Sequence, residues 1–169
     1  MMLRLRAVAP RRQPGAVRAL SKSALVTLEK HQRVGILRLN DPKRLNPMTS
    51  AMGIALEAKV AEINSRADEF SAVVLTGAGR VYARGFGSVS NADSVGMQEY
   101  YSRYMSLRSL KVPLVAALNG PAIGAGLCIS LFADVRVAAK DAKLGFTSVN
   151  TGLHPVCRRS DYRISLRQG

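Results

Sequence analysis

The chain has no tryptophan, and its other aromatic rings come to five tyrosines and four phenylalanines. So few rings, spread without a motif, leave little to stack against single-stranded bases. There are two histidines, His31 and His154, too few and too far apart for a metal centre. The two cysteines, Cys128 and Cys157, are not spaced as a CxxC pair and cannot make a disulfide framework. Free thiols in a reducing compartment are the expectation. No apolar run approaches the roughly 20 residues that a membrane helix needs. Acids are scarce: 11 against 25 lysines and arginines, a formal charge of +14.

What remains is ordinary for one globular domain with a core: 169 residues, 47% apolar and 21% charged. The excess charge is uneven. Residues 1–20 hold Arg4, Arg6, Arg11, Arg12 and Arg18 and no acid, and residues 156–169 hold four arginines against Asp161, which leaves +6 for the middle. A basic middle suits an anionic small ligand such as a nucleotide phosphate. A nucleic-acid partner is disfavoured, because more than half the charge gathers at the ends. The first acid is Glu29, and an acid-free, arginine-rich start has the composition of a mitochondrial transit peptide. Arg18-Ala19-Leu20 before Ser21 resembles a matrix-protease cleavage site, so the expected address is the mitochondrial matrix. Residues 1–20 are assigned to that peptide, 21–155 to a core, and 156–169 to an atypical tail with little apolar periodicity.

Within the core, residues 24–41 read as a hairpin whose second arm is the more buried, with Leu37 and Leu39 on one face and Val34 and Ile36 on the other. The basic loop DPKRLNP follows, then a helix capped by Asn46 or Thr49, with Pro47 at its start. Met48, Met52, Leu56, Val60 and Ile63 form its core stripe, and Gly53 weakens it. SAVVLTGAG (71–79) is a buried strand, and RVYARGFGS (80–88) a glycine-punctuated loop. A helix over 94–110 is marked by Met97, Tyr101, Met105 and Leu110. LVAALNG (114–120) is a strand, PAIGAG a turn, LCISLFA (127–133) a short helix and VRVAA (135–139) a strand. Strands alternating with helices predict an α/β layered fold.

The chemistry concentrates in 111–146. Gly120, Gly124 and Gly126 allow tight turning and close backbone approach, and the helix that follows opens with unpaired N–H groups. Such a start can hold an anion or a developing oxyanion.

This stretch, NGPAIGAGLCISLFADVRVA, resembles the signature of the crotonase (enoyl-CoA hydratase/isomerase) family. LTGAGRVYARGFG resembles the family's upstream landmark, and RLNDPKRLNPMT its early coenzyme A loop. Three motifs in order, from about Ala24 to Pro155, make the resemblance specific. It implies an α/β fold, a crotonase-like β/β/α spiral core, and an acyl-CoA thioester substrate of fatty-acid or branched-chain metabolism, with coenzyme A part of the substrate and no separate cofactor or metal. The thioester oxygen would sit between the N–H groups of Phe86, after Gly85, and Ala125, in the glycine turn. Lys43, Arg44, Asn46, Pro47, Arg84 and Gly85 would meet coenzyme A.

Two glutamates serve hydratases of this family, and the matching positions here are Cys128 and Ser148. Neither is a carboxylate. A buried thiol on an apolar helix is more often core than nucleophile, and serine lacks basicity without a partner. Asp134 reads as structural, Asp141 as an exposed turn, and His154 as a loop histidine. Gly87 replaces a usual aspartate, and Arg84 stands where small residues are common. The family continues for about another hundred residues, through helices that complete the acyl pocket and the homotrimer or hexamer contact. That C-terminal helical part is missing here, so one face of the sheet is expected to expose an apolar patch. Two rival readings stand beside an active hydratase/isomerase. One is a catalytically inactive acyl-CoA-binding or partner subunit. The other, from the basic composition, is an RNA-binding protein.

Overall fold

Alternating apolar residues close the first segment into an antiparallel hairpin, in which β1 (Val26–His31) pairs with β2 (Val34–Leu39). The computed structural model that shows this describes residues 24–85 and 101–146. On β2, Gly35, Leu37 and Leu39 are buried and the other three residues half-covered, whereas β1 buries only Val26. The second arm is the more enclosed because a further strand lies beyond it. β3 (Ala72–Gly77), β4 (Leu114–Leu118) and, after a short β5 (Ala122–Ile123), β6 (Val135–Ala138) complete a sheet in the order β1-β2-β3-β4-β6. All pairings after the hairpin are parallel. β5 pairs with β7 (Leu144–Gly145) in a separate two-stranded sheet. The segment expected to be only a turn therefore contains a strand, too short for alternation to reveal.

Between β2 and β3 runs α1 (Ser50–Ser65), capped by Thr49, whose hydroxyl accepts the Met52 N–H at 3.2 Å. Pro47 lies before the helix rather than at its first position, and Asn46 is used elsewhere. Met52, Leu56, Val60 and Ile63 are all buried. They cover a sheet face on which Leu37, Leu75 and Ala116 stand side by side, fully enclosed. Gly53 has a packing role besides its helix cost: a β-carbon there would stand 3.2 Å from Cβ of Arg103 and 3.3 Å from the Tyr104 ring. The helical residues 101–105 close on α1 at that point, and the Tyr104 hydroxyl donates to the Thr49 carbonyl at 2.5 Å.

Met105, expected as a core marker, is 46% exposed, and Tyr104 and Leu107 are buried in its place. The helix tightens to a 3-10 turn at Ser106–Ser109, which rotates the inward face. Met97 lies outside the described residues. After β4 comes α2 (Ala125–Ser130), shorter and earlier than expected. Asp134 follows and is structural, as expected: its carboxylate accepts the Leu114 N–H at 2.8 Å, and its own N–H donates to the Leu114 carbonyl at 2.9 Å. Arg136 donates from Nη1 to the Ala133 carbonyl at 2.6 Å, fixing the turn after α2.

The sheet's second face carries the apolar row Ile36, Val74, Val115, Val135. Among the described residues β6 is an edge strand, and Val135 and Val137 are more than half exposed there.

Candidate active site

Because β2, β3 and β4 are parallel, they end together at Leu39, Gly77 and Leu118, and the loops that follow meet at one end of the sheet. Residues 83–84 lie in the middle. Ala83 bridges to Ala122 on one side and Arg84 to Pro47 on the other. The Ile123 N–H donates to the Ala83 carbonyl (3.2 Å), the Met48 N–H to the Arg84 carbonyl (3.2 Å) and the Tyr82 N–H to the Pro121 carbonyl (3.1 Å). Segments far apart in sequence thus share a backbone ladder at the strand ends.

Asn46 locks this junction. It is fully buried, with φ at 49°. Its Oδ1 accepts the Asp41 N–H at 2.8 Å, and its Nδ2 lies 2.9 Å from the Ala78 carbonyl, 2.8 Å from that of Val81 and 3.3 Å from that of Tyr82. The expectation that Asn46 meets coenzyme A is corrected in this respect: its amide is spent within the protein, and it shapes the loop instead of reaching a ligand. Asn119, which had no assigned role, does related work across the loop. Its Oδ1 accepts the Gly77 N–H at 3.0 Å and its Nδ2 donates to the Gly79 carbonyl at 2.8 Å. Asparagine at a strand end before glycine was the available signal. Tyr82, where the family landmark carries phenylalanine, buries its hydroxyl without a hydrogen-bond partner among the described residues, and burial drives the phenol far above its usual pKa.

The basic loop and Arg84 do come together. Lys43, Arg44, Leu45, Pro47, Thr49 and Arg84 line an open groove of about 460 Å³. Arg44 is paired with Asp41, Nε to Oδ2 at 3.0 Å. Among the described residues, Lys43 and Arg84 meet no carboxylate. Leu45 and Thr49 were not expected in the site, although both flank the basic loop.

On the other side of the 83–85 segment lies the glycine turn. Gly124, at φ 57°, precedes α2. A β-carbon on Gly126 would run into the Ala83 carbonyl, so only glycine lets α2 sit against that segment. The point where a β-carbon on Gly85 would stand is 3.4 Å from the Ala125 amide nitrogen. Among the described residues, the Ala125 N–H donates to no backbone carbonyl. Gly85 and Ala125 are therefore adjacent. Phe86 lies outside the described residues.

Among the described residues, no proton donor joins them. Cys128 is buried in α2 and held in a disulfide, so the expectation of a free thiol fails there, and with it any nucleophilic role. Ser148, His154 and Cys157 lie outside the described residues. Asp141 is exposed in a turn. Among the described residues, no group of three or more histidines, cysteines or acids could hold a metal, and no helix is long and apolar enough to cross a membrane.

Comparison with known proteins identifies the family. The family model described as enoyl-CoA hydratase/isomerase matches residues 29–163. "Probable enoyl-CoA hydratase EchA14" of Mycobacterium tuberculosis is 35% identical over 137 residues, covering 78% of this chain and 52% of that protein. "Probable enoyl-CoA hydratase echA12" of Mycobacterium bovis is 37% identical over 148 residues, covering 79% and 51%. Among solved structures, subunit I of an enoyl-CoA hydratase from Geobacillus kaustophilus superposes with a TM-score of 0.72 at 30% identity, over 79% of this chain and 53% of that one. A monofunctional enoyl-CoA isomerase from Mycobacterium smegmatis gives 0.62 at 32% identity, over 72% and 53%. The chain spans about half the length of the relatives it matches. With the motifs in order, the strand-end loops joined and the family model matched over most of its length, this chain belongs to the enoyl-CoA hydratase/isomerase, or crotonase, family.

Proposed function

We propose that the chain binds an acyl-CoA thioester and polarises its carbonyl between the Ala125 N–H and the N–H of Phe86, the residue after Gly85. The observation that carries this reading is the adjacency of Gly85 and the Ala125 nitrogen at the strand ends. Backbone donors hold negative charge on the thioester oxygen whatever the side chains, and one such donor is worth ~10²–10³ in rate where chemistry follows. The nucleotide end of coenzyme A lies along the groove of Lys43, Arg44, Pro47 and Arg84. The substrate class is a fatty or branched-chain acyl-CoA, and the arginine-rich residues 1–20 support delivery to the mitochondrial matrix.

A second reading, binding without turnover, is favoured by one observation: the position of the first family glutamate is a disulfide-held cysteine. Two measurements on the full chain separate these readings. A conjugated dienoyl-CoA whose carbonyl is polarised should bind with a shift of its absorption to longer wavelength; binding without a shift would remove the oxyanion site, and no binding would remove the function. Hydration or isomerisation of a short enoyl-CoA in the same preparation decides for the enzyme, and a shift without turnover decides for the binding subunit.

A further inference from the structure

The chain has two cysteines, and Cys128, buried in α2, is held in a disulfide. Cys157 is the other sulfur that one chain can supply. Cys128 lies one helical turn below the glycine turn. Its N–H donates to the Gly124 carbonyl at 3.1 Å, and the Leu127 N–H donates to the same oxygen at 3.0 Å. Whatever holds the Cys128 sulfur therefore holds Gly124 and, next to it, the Ala125 N–H. From the other side the turn is gripped by β7. The Ala122 N–H donates to the Lys143 carbonyl at 2.9 Å and the Gly124 N–H to that of Gly145 at 2.8 Å. β5 and β7 have two residues each, so this grip consists of a few backbone bonds.

The chain runs from β7 towards Cys157, so one downstream stretch can reach the turn twice, by hydrogen bonds and by sulfur. We infer that Cys128 and Cys157 form a reversible disulfide that braces the carbonyl-binding turn, so that the redox state of the pair regulates acyl-CoA binding. Oxidised, the loop from Cys128 to Cys157 is closed covalently, and α2 cannot swing away from Gly85 without carrying that loop along. Reduced, the turn keeps its backbone hydrogen bonds and the packing of Leu127 and Ile129, and the Ala125 N–H is less firmly placed. The exchange takes two electrons and two protons from two thiols of the glutathione class, which leave as one disulfide, while Cys128 and Cys157 become thiols. In a reducing compartment a disulfide is characteristically transient, catalytic or redox-sensing. The strands β1 to β4 and α1 lie outside the closed loop, so the core does not depend on the bond. The inference rests on the acyl-CoA reading above and adds to it the regulation of the same site.

The test compares the full chain oxidised by glutathione disulfide with the chain reduced by dithiothreitol, each freed of reagent. Mass spectrometry of unreduced peptides should find Cys128 and Cys157 linked within one chain. The conjugated dienoyl-CoA should bind the oxidised chain with its absorption shifted to longer wavelength. The reduced chain should bind it about fivefold or more weakly, the worth of one lost hydrogen bond, and with a smaller shift. Reoxidation should restore both. Cys157→Ser, which leaves α2 untouched, should behave as the reduced chain and be indifferent to dithiothreitol. A thermal melt should show that the reduced chain and the variant still unfold cooperatively. Equal affinity and shift in the two redox states, absence of the linked peptide, or a bond between two chains overturns the inference and leaves the acyl-CoA reading standing. So does a reduced chain that no longer melts cooperatively, because the bond is then structural. Failure of the dienoyl-CoA to bind in either state overturns both.

Discussion

The five-stranded sheet is closed at its two ends by different chemistry. Where β2, β3 and β4 finish, closure depends on neutral amides: Asn46, buried, reaches four backbone groups, and Asn119 reaches two more. Where β2 and β3 begin, it depends on exposed charge. Glu69 accepts from Lys30 at 2.6 Å and from Nε and Nη2 of Arg66 at 2.8 Å each, while Arg33 reaches Ser71 Oγ at 3.0 Å and the Asp68 carbonyl at 2.8 Å. The Phe70 ring lies under Lys30 and Arg66, 5.6 and 5.9 Å from their charges. A buried amide with every donor and acceptor engaged admits one geometry and is insensitive to salt. Exposed ion pairs tolerate many geometries, are screened, and contribute about 0–1 kcal/mol at typical surface sites. The loops proposed to hold the thioester are on the amide-locked end, where small displacements would matter most.

The largest test of this contrast is Asn46→Ala. It removes the partner of the Asp41 N–H and of as many as three carbonyls inside the protein, and it places alanine at a positive φ. The expected loss is about 3–5 kcal/mol in chemical denaturation, from orphaned buried groups with a backbone penalty added. The loss should be the same in low and high salt. A loss below about 1 kcal/mol would show that water replaces the amide and that this end is not locked.

Tyr82→Phe sharpens the comparison from within the same end. Among the described residues, its hydroxyl is a polar atom that the locked junction buries with no partner. Removing it should raise stability by about 1 kcal/mol, since phenylalanine fills the same volume without the desolvation cost. A decrease of that size would mean that the hydroxyl has a partner in solution.

These two residues also show why the sequence could be read only in part. The hairpin, the Thr49 cap option and the Met52–Ile63 stripe follow from spacing within one turn or one strand, and all three appear in the structure. The gathering of Lys43, Arg44, Pro47 and Arg84 followed from motifs whose order carries the fold. Asn46 was read as a ligand contact because the family resemblance places it in the coenzyme A loop. Its burial arises from carbonyls 32 to 36 residues away, which no local pattern encodes. Met105 was misplaced because a change from α to 3-10 geometry leaves no mark on apolar periodicity. β5 and β7, at two residues each, exist only through each other.

The smallest effect belongs to the charged end, and its sign can be worked out. Hydrogen bonds from Arg66 and then Lys30 draw the Glu69 carboxyl down to about 2 from 4.5. A carboxylate with a depressed folded-state pKa stabilises above its unfolded value and loses that contribution as pH falls through the folded one. The difference between wild type and Glu69→Gln should therefore be flat above pH 4.5 and close between 4.5 and about 2. Because the three side chains are 35–45% exposed, the thermal midpoint should fall by no more than a few degrees, and strong salt should erase most of it. A large, salt-resistant loss would place Glu69 among the locked contacts and remove the distinction between the two ends. A small one, beside a large and salt-indifferent loss at Asn46, would establish that rigidity in this fold is concentrated where the loops meet.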